Sequence, residues 1–209
     1  RKRDLTAKNA ISKTVAPITS RVGYATLWNN STVNNIQIAL MNQSTLSGNK
    51  KTLLDGLFNT RPSGSTPLRR ELDEAGKYYE CVSGNTFGLA AGSASCPILP
   101  AASGGNCQQN FTVLTTDGFY NDAFTALPGN DNVDADGNSP DAAGNTAFDG
   151  GAYADTYADT LADIAMHYYE RDLSSTLANN VLIVAGIDNA AHQHMVTYTV
   201  AFGVTGTLT

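Results

Sequence analysis

Residues Phe111 to Thr116 read FTVLTT, an almost continuous apolar and β-branched run that stops at Asp117-Gly118. A short run of this kind, bounded by turn residues, marks a strand buried on both faces. Strands buried that way belong to sheets covered by helices on either side. The flanking segments agree. Asp4 caps an expected helix with Leu5, Ile11, Val15 and Ile18 on one face. Arg21–Trp28 and Ile36–Met41 read as strands of a hairpin turned at Asn29-Asn30-Ser31. A short helix is expected near Lys51–Phe58. Leu68, Leu72, Ala75 and Tyr79 recur at helical spacing, so Pro67–Tyr79 is an amphipathic helix with proline at its start. Tyr153–Arg171 reads as a longer helix with Tyr157, Leu161, Ile164, Ala165 and Tyr168 as its buried stripe. Met195–Val204 is a final strand, and Asn179–Gly186 is either a short strand or an apolar loop. Helices alternating with apolar strands imply an α/β fold with a doubly wound sheet. The expected organisation is a single domain over residues 1–209, with insertions at about 81–110 and 119–151.

Charge is sparse and segregated. Of 209 residues, 13 are Lys or Arg and 19 are Asp or Glu, a net charge of −6. Twelve of the basic residues lie between Arg1 and Lys77, and twelve of the acidic ones between Asp117 and Asp172. This balance argues against nucleic acid as a partner. It permits hard cations, which take carboxylate and hydroxyl oxygens. No apolar run reaches the roughly 18–20 residues that span a bilayer. The start at Arg1-Lys2-Arg3, with neither Met nor a leader, suggests part of a longer protein. Cys81, Cys96 and Cys107 fall in one stretch, which reads as one disulfide plus a spare thiol in an oxidising compartment. Cys81–Cys107 is the expected pair, because it brackets the whole first insertion; Cys96–Cys107 would also tie that insertion to the strand.

Two loops could carry chemistry together. Gly64-Ser65-Thr66-Pro67 places a hydroxyl at a helix start, and Thr116-Asp117-Gly118 places a carboxylate at a strand end. Both belong to the rim where open α/β sheets bind ligands. A hydroxyl and a carboxylate completed by water suit a magnesium-type ion. Singly, each has an ordinary role, Thr66 as a cap and Asp117 as a turn residue. Asn132, Asp134 and Asp136, followed by Gly137, have the spacing of the start of a calcium loop. Position 12 of that loop would be Ala143, where a bidentate Glu is expected. Asp155, Asp159 and Asp163 read as a solvated helix face. His192 and His194 form a His-x-His pair without a third zinc ligand nearby, so packing or surface positions are favoured over metal. The chain has no Gly-x-Ser-x-Gly elbow, phosphate loop or dinucleotide fingerprint, and an enzyme is not expected.

Four blocks in order, GSTPLRRELDEAGKYYE, CQQNFTVLTTDGFYND, YADTLADIAMHYYERDL and HQHMVTYTVAFGVTGTL, resemble a von Willebrand factor A-type domain. More specifically they are similar to the amino-terminal part of type IV pilus tip adhesins and biogenesis factors of the PilY/PilC kind. The resemblance implies a von Willebrand A-like, Rossmann-type sheet and a metal-ion-dependent adhesion site. Thr66 and Asp117 would be its magnesium or manganese ligands, and an acidic partner group would complete the ion. The motif's Asp-x-Ser-x-Ser strand is absent from this sequence and is expected upstream; Asp172-Leu173-Ser174-Ser175-Thr176 follows a helix and does not replace it. The implied setting is extracellular, at a pilus tip or bacterial cell surface. The implied partners are host or abiotic surface receptors and minor pilins or other pilus subunits. A second reading is a structural or force-transmitting module of the pilus tip that binds no ion.

Overall fold

A computed structural model of the chain describes residues 2–28, 35–121, 157 and 159–202. The helix α1 spans Lys2–Val15 and is followed by strands β1 (Arg21–Tyr24) and β2 (Ile36–Leu40). Helices α2 (Gly48–Asn59) and α3 (Leu68–Glu80) precede two short 3-10 turns, Ala101–Ser103 and Gly105–Cys107. Strand β3 (Asn110–Thr116), helix α4 (Leu161–Glu170) and strand β4 (Met195–Ala201) complete the order. Among the described residues the strands form two separate two-stranded sheets, β1 antiparallel to β2 and β3 parallel to β4.

Each sheet is packed by its own helices. Val15, Met41 and Leu53 are buried between α1, α2 and the hairpin. Two buried lysines lock α1 to α2: Lys8 donates to the carbonyls of Phe58 and Thr60, and Lys50 to that of Ala16 at 2.9 Å. Each ammonium thus satisfies carbonyls at the end of the other helix, where the helix dipole also favours positive charge. The second core holds Leu72, Tyr79, Ile164, Tyr168, Leu173 and Met195, between α3, α4 and the parallel pair. Helix α3 serves both sheets. The backbone N–H of Ile38 in β2 donates to the Tyr78 hydroxyl at 3.0 Å, and the Tyr79 hydroxyl donates to the Phe111 carbonyl in β3 at 2.9 Å.

Several expectations are corrected. The strand β3 is buried on one face only. Leu114 faces the core, whereas Phe111 and Val113 are 47% and 61% exposed, beside Tyr198 and Val200 of β4 at 53% and 46%. The described helices α3 and α4 pack against these strands from the Leu114 and Met195 side, so an apolar run does not by itself report two covered faces. The last helix is shorter than expected. Thr160 caps it, accepting from the Asp163 N–H while the Asp163 carboxylate accepts from the Thr160 N–H, a reciprocal capping box. Asp159 has a left-handed φ of 59°, and neither it nor the exposed Tyr157 is helical. Asp163 is therefore a buried cap residue and not part of a solvated stripe; Asp155 lies outside the described residues. Asp4 sits inside the first turn of α1, and Pro67 precedes α3.

The disulfide joins Cys81 to Cys96, not to Cys107, and Cys107 is an exposed free thiol. Cys81 ends α3 in a left-handed conformation with φ 59°. The turn beyond it is held by Asn85, whose amide donates to the Val82 and Leu89 carbonyls and whose oxygen accepts from the Phe87 and Leu89 N–H groups. That tight local path returns the chain to Cys96.

Candidate functional site

The rim is built where the loop before α3 meets the loop after β3. Gly64 has φ 82°, and a Cβ there would lie 2.4 Å from the Trp28 ring, so glycine is required for the loop to pass under the indole. The next turn brings Thr66 against Asn121. The Thr66 N–H donates to Asn121 Oδ1 at 2.7 Å, and the Asn121 N–H donates back to the Thr66 carbonyl at 3.2 Å. This clasp joins the two loops that the sequence nominates. The Thr116 hydroxyl is used internally, donating to the Gly118 carbonyl at 2.9 Å. Beyond β4, the Phe202 N–H donates to the Thr116 carbonyl, which fixes the end of β3.

Asp117 points outward from this loop and is half exposed. Its carboxylate pairs with Arg3 of α1, Nη1 to Oδ2 at 3.5 Å. Two further arginines border the rim. The Arg69 guanidinium lies 4.5 Å above the Tyr120 ring and donates to the Asp159 carbonyl at 2.9 Å. Arg70 lies 5.9 Å from the Trp28 ring and pairs with Glu71 at 3.0 Å. Phe119 is exposed beside Tyr120.

The side-chain oxygens on this rim divide into two sets. Those of Thr116 and Asn121 are committed to the loop backbone. Thr66 Oγ1 makes no hydrogen bond among the described residues, and Asp117 meets only Arg3. An all-oxygen donor pair of hydroxyl and carboxylate fits a hard divalent ion, with water supplying the remaining positions. Among the described residues no three His, Cys, Asp or Glu side chains come together as a metal cluster. The calcium-loop residues Asn132, Asp134 and Asp136 lie outside the described residues. Arg3 and Asn121, which contact Asp117 and Thr66, are rim residues that the sequence did not disclose. Their roles depend on contacts between distant segments, and neither carries a local motif.

His192 and His194 are buried, and among the described residues they join no group of three potential metal ligands. His194 Nδ1 lies 2.8 Å from the His192 carbonyl, and Nε2 lies 3.1 Å from Asp188 Oδ1. Both neighbours are oxygen acceptors, so each ring nitrogen faces one. The Tyr169 hydroxyl donates to the same carboxylate at 3.2 Å. His167 is the opposite case: it faces Arg171 at 2.6 Å, and burial, then the Arg171 and Lys77 charges, push its pKa down to about 3.

The chain is similar to the type IV pilus biogenesis factor PilY1 of Pseudomonas aeruginosa. It is 28% identical to the strain PAK protein over 73% of this chain and 14% of that protein. The PAO1 protein is 30% identical over 70% and 13%, and the UCBPP-PA14 protein 29% over 80% and 15%. The matched region is therefore a small part of those relatives' length. No family model and no solved structure matches the chain.

Proposed function

We propose that this chain is a binding module of a PilY1-like type IV pilus factor, exposed outside the cell at the pilus tip. Its fold in this reading is von Willebrand A-like, and its rim is a metal-ion-dependent adhesion site for an acidic group on a surface receptor. The likeness to PilY1 supports the pilus setting. One observation carries the site: the Thr66–Asn121 clasp unites the two nominated loops, and among the described residues it leaves the Thr66 hydroxyl without a hydrogen bond and the Asp117 carboxylate paired with Arg3 alone. A bound magnesium or manganese ion would supply the positive charge that coordinates a partner carboxylate. Asp117 would contribute charge to hold it and Thr66 a neutral oxygen. The clasp sets the separation of the two, and the function is binding without turnover.

The test is manganese titration of the whole chain and of the Thr66→Ala and Asp117→Ala variants. Each substitution is expected to weaken binding by about tenfold or more, in line with the loss of a charged or direct contact of about 1.4 kcal/mol. Equal affinity in all three proteins rejects the ion site. A second reading, a force-transmitting module, is favoured by α3, whose adjacent tyrosines Tyr78 and Tyr79 bond to the backbones of both sheets. On that reading both rim substitutions are silent, and Tyr78→Phe with Tyr79→Phe lowers mechanical unfolding force.

A further inference from the structure

We propose that Arg3 is the resident counter-charge of Asp117, and that a divalent ion reaches this carboxylate only by displacing it; the proposal rests on the ion-site reading above. The geometry is specific. Arg3 Nη1 stands 3.5 Å from Asp117 Oδ2, and Asp117 is the one carboxylate with which Arg3 pairs among the described residues. The neighbouring Asp4 is engaged by Lys8 at 3.3 Å. The placement of Arg3 follows from the helix that bears it. Helix α1 is pinned to α2 by the buried Lys8, so its first turn is held at the rim.

A cation entering the site meets a guanidinium already bound to Asp117, the one acidic ligand proposed among the described residues. Two positive charges cannot share one carboxylate at contact distance without mutual repulsion. The ion therefore binds with an affinity lowered by whatever the Arg3–Asp117 pair is worth. Both side chains are largely solvated, at 61% and 50% exposure, which keeps that worth small and makes it sensitive to salt. Thr66 is uncharged and takes no part in the competition. Arg3 thus acts on the ion as a weak, ionic-strength-dependent competitor, and once released it is free to meet an acidic group on a partner.

Manganese affinity of the whole chain, read by electron paramagnetic resonance at low ionic strength, tests this. Arg3→Ala and Arg3→Gln are expected to bind about threefold more tightly than wild type, and no more than about fivefold, or about 1 kcal/mol. Arg3→Lys, which keeps the charge, should stay near wild type. The gain should shrink as sodium chloride is added, because the pair is screened. Arg3 is exposed on a surface helix, and unchanged melting temperatures will show that the variants fold. If Asp117→Ala abolishes binding while Arg3→Ala matches wild type or weakens it, the competition is overturned and the ion site stands. If Asp117→Ala binds as wild type does, or no protein binds manganese, both fall.

Discussion

Replacing Gly76 by alanine places a methyl group inside the Tyr168 ring. An ideal Cβ at that position would lie 2.3 Å from both Cδ2 and Cε2 and 2.4 Å from Cγ. Ordinary carbon contacts are about 3.5–4.0 Å, so either α3 and α4 separate or the ring swings away. The ring has nowhere to go cheaply. It is 1% exposed and stacks edge-on with His167 at 4.7 Å. Its hydroxyl donates to the buried Asp73 carboxylate at 2.8 Å. Burial, with the Asp73 charge next, raises the phenol pKa, so the hydroxyl keeps its proton and remains a donor. Overpacking costs about 1–3 kcal/mol, and losing a hydrogen bond to a charged acceptor about 1.5–3 kcal/mol. Alanine returns about 1 kcal/mol of helix propensity. The net expectation is a destabilisation of about 2–4 kcal/mol, or roughly 5–15 °C in melting temperature for a chain of this size. Thermal melts of Gly76→Ala measure it directly. Tyr168→Ala removes the obstacle, and in that background Gly76→Ala should be neutral or mildly stabilising. An unchanged melting temperature in the single variant, or the same loss in both backgrounds, would refute the steric account.

Glu71 gives a pH dependence. Burial, then the Glu74 charge, lifts its pKa to about 7 against the pull of Arg70 and the Thr86 hydroxyl. The folded state holds a proton that the unfolded chain releases above about 4.5, so stability falls as pH rises from about 4.5 to 7. Glu71→Gln should flatten that fall, by about 2 kcal/mol after screening by Arg70, in denaturant titrations across the range. His167 slopes the other way, since its lowered pKa removes stability as pH falls from about 6.5 towards 3; His167→Gln should reduce acid sensitivity below pH 4.5, where Glu71 no longer opposes it. Peptide mapping without reduction should recover Cys81 linked to Cys96. Cys96→Ser should cost about 3 kcal/mol for a loop of this length, while Cys107→Ser should leave the melt unchanged. Thr160→Ala breaks the capping box and should cost about 1 kcal/mol, seen as reduced protection of the first turn of α4 in hydrogen exchange.

Periodicity and turn chemistry made most of this molecule readable. The hairpin, α3 and both strands of the parallel pair lie within a few residues of where spacing puts them. The failures share one cause, competition that a local pattern does not contain. The apolar spacing from Tyr153 continues past Tyr157, yet α4 begins only after Thr160, because Thr160 and Asp163 satisfy the exposed N–H groups of the first turn. The same residues spell a capping signature in the sequence, and it outweighs the spacing. Cysteine pairing could not be read from loop length, since closure entropy changes only slowly with the number of residues enclosed. The left-handed end of α3 and the Asn85 turn decide it instead.

The rim shows the same limit from the functional side. Element order alone nominates Thr66 and Asp117, because it puts a helix start and a strand end on one edge. Arg3 is not nominated, because nothing local to it in the sequence points to a partner more than a hundred residues away. Arg3 from the first helix meets Asp117, and Arg171, the one base among the acidic residues 117–172, meets Glu80 at the end of α3 at 3.0 Å. Most of the other ion pairs among the described residues are local, within a helix of the basic half. At Asp117 the Arg3 pairing has a further consequence: the carboxylate proposed to hold an ion already has a weak counter-charge, with which a cation would compete.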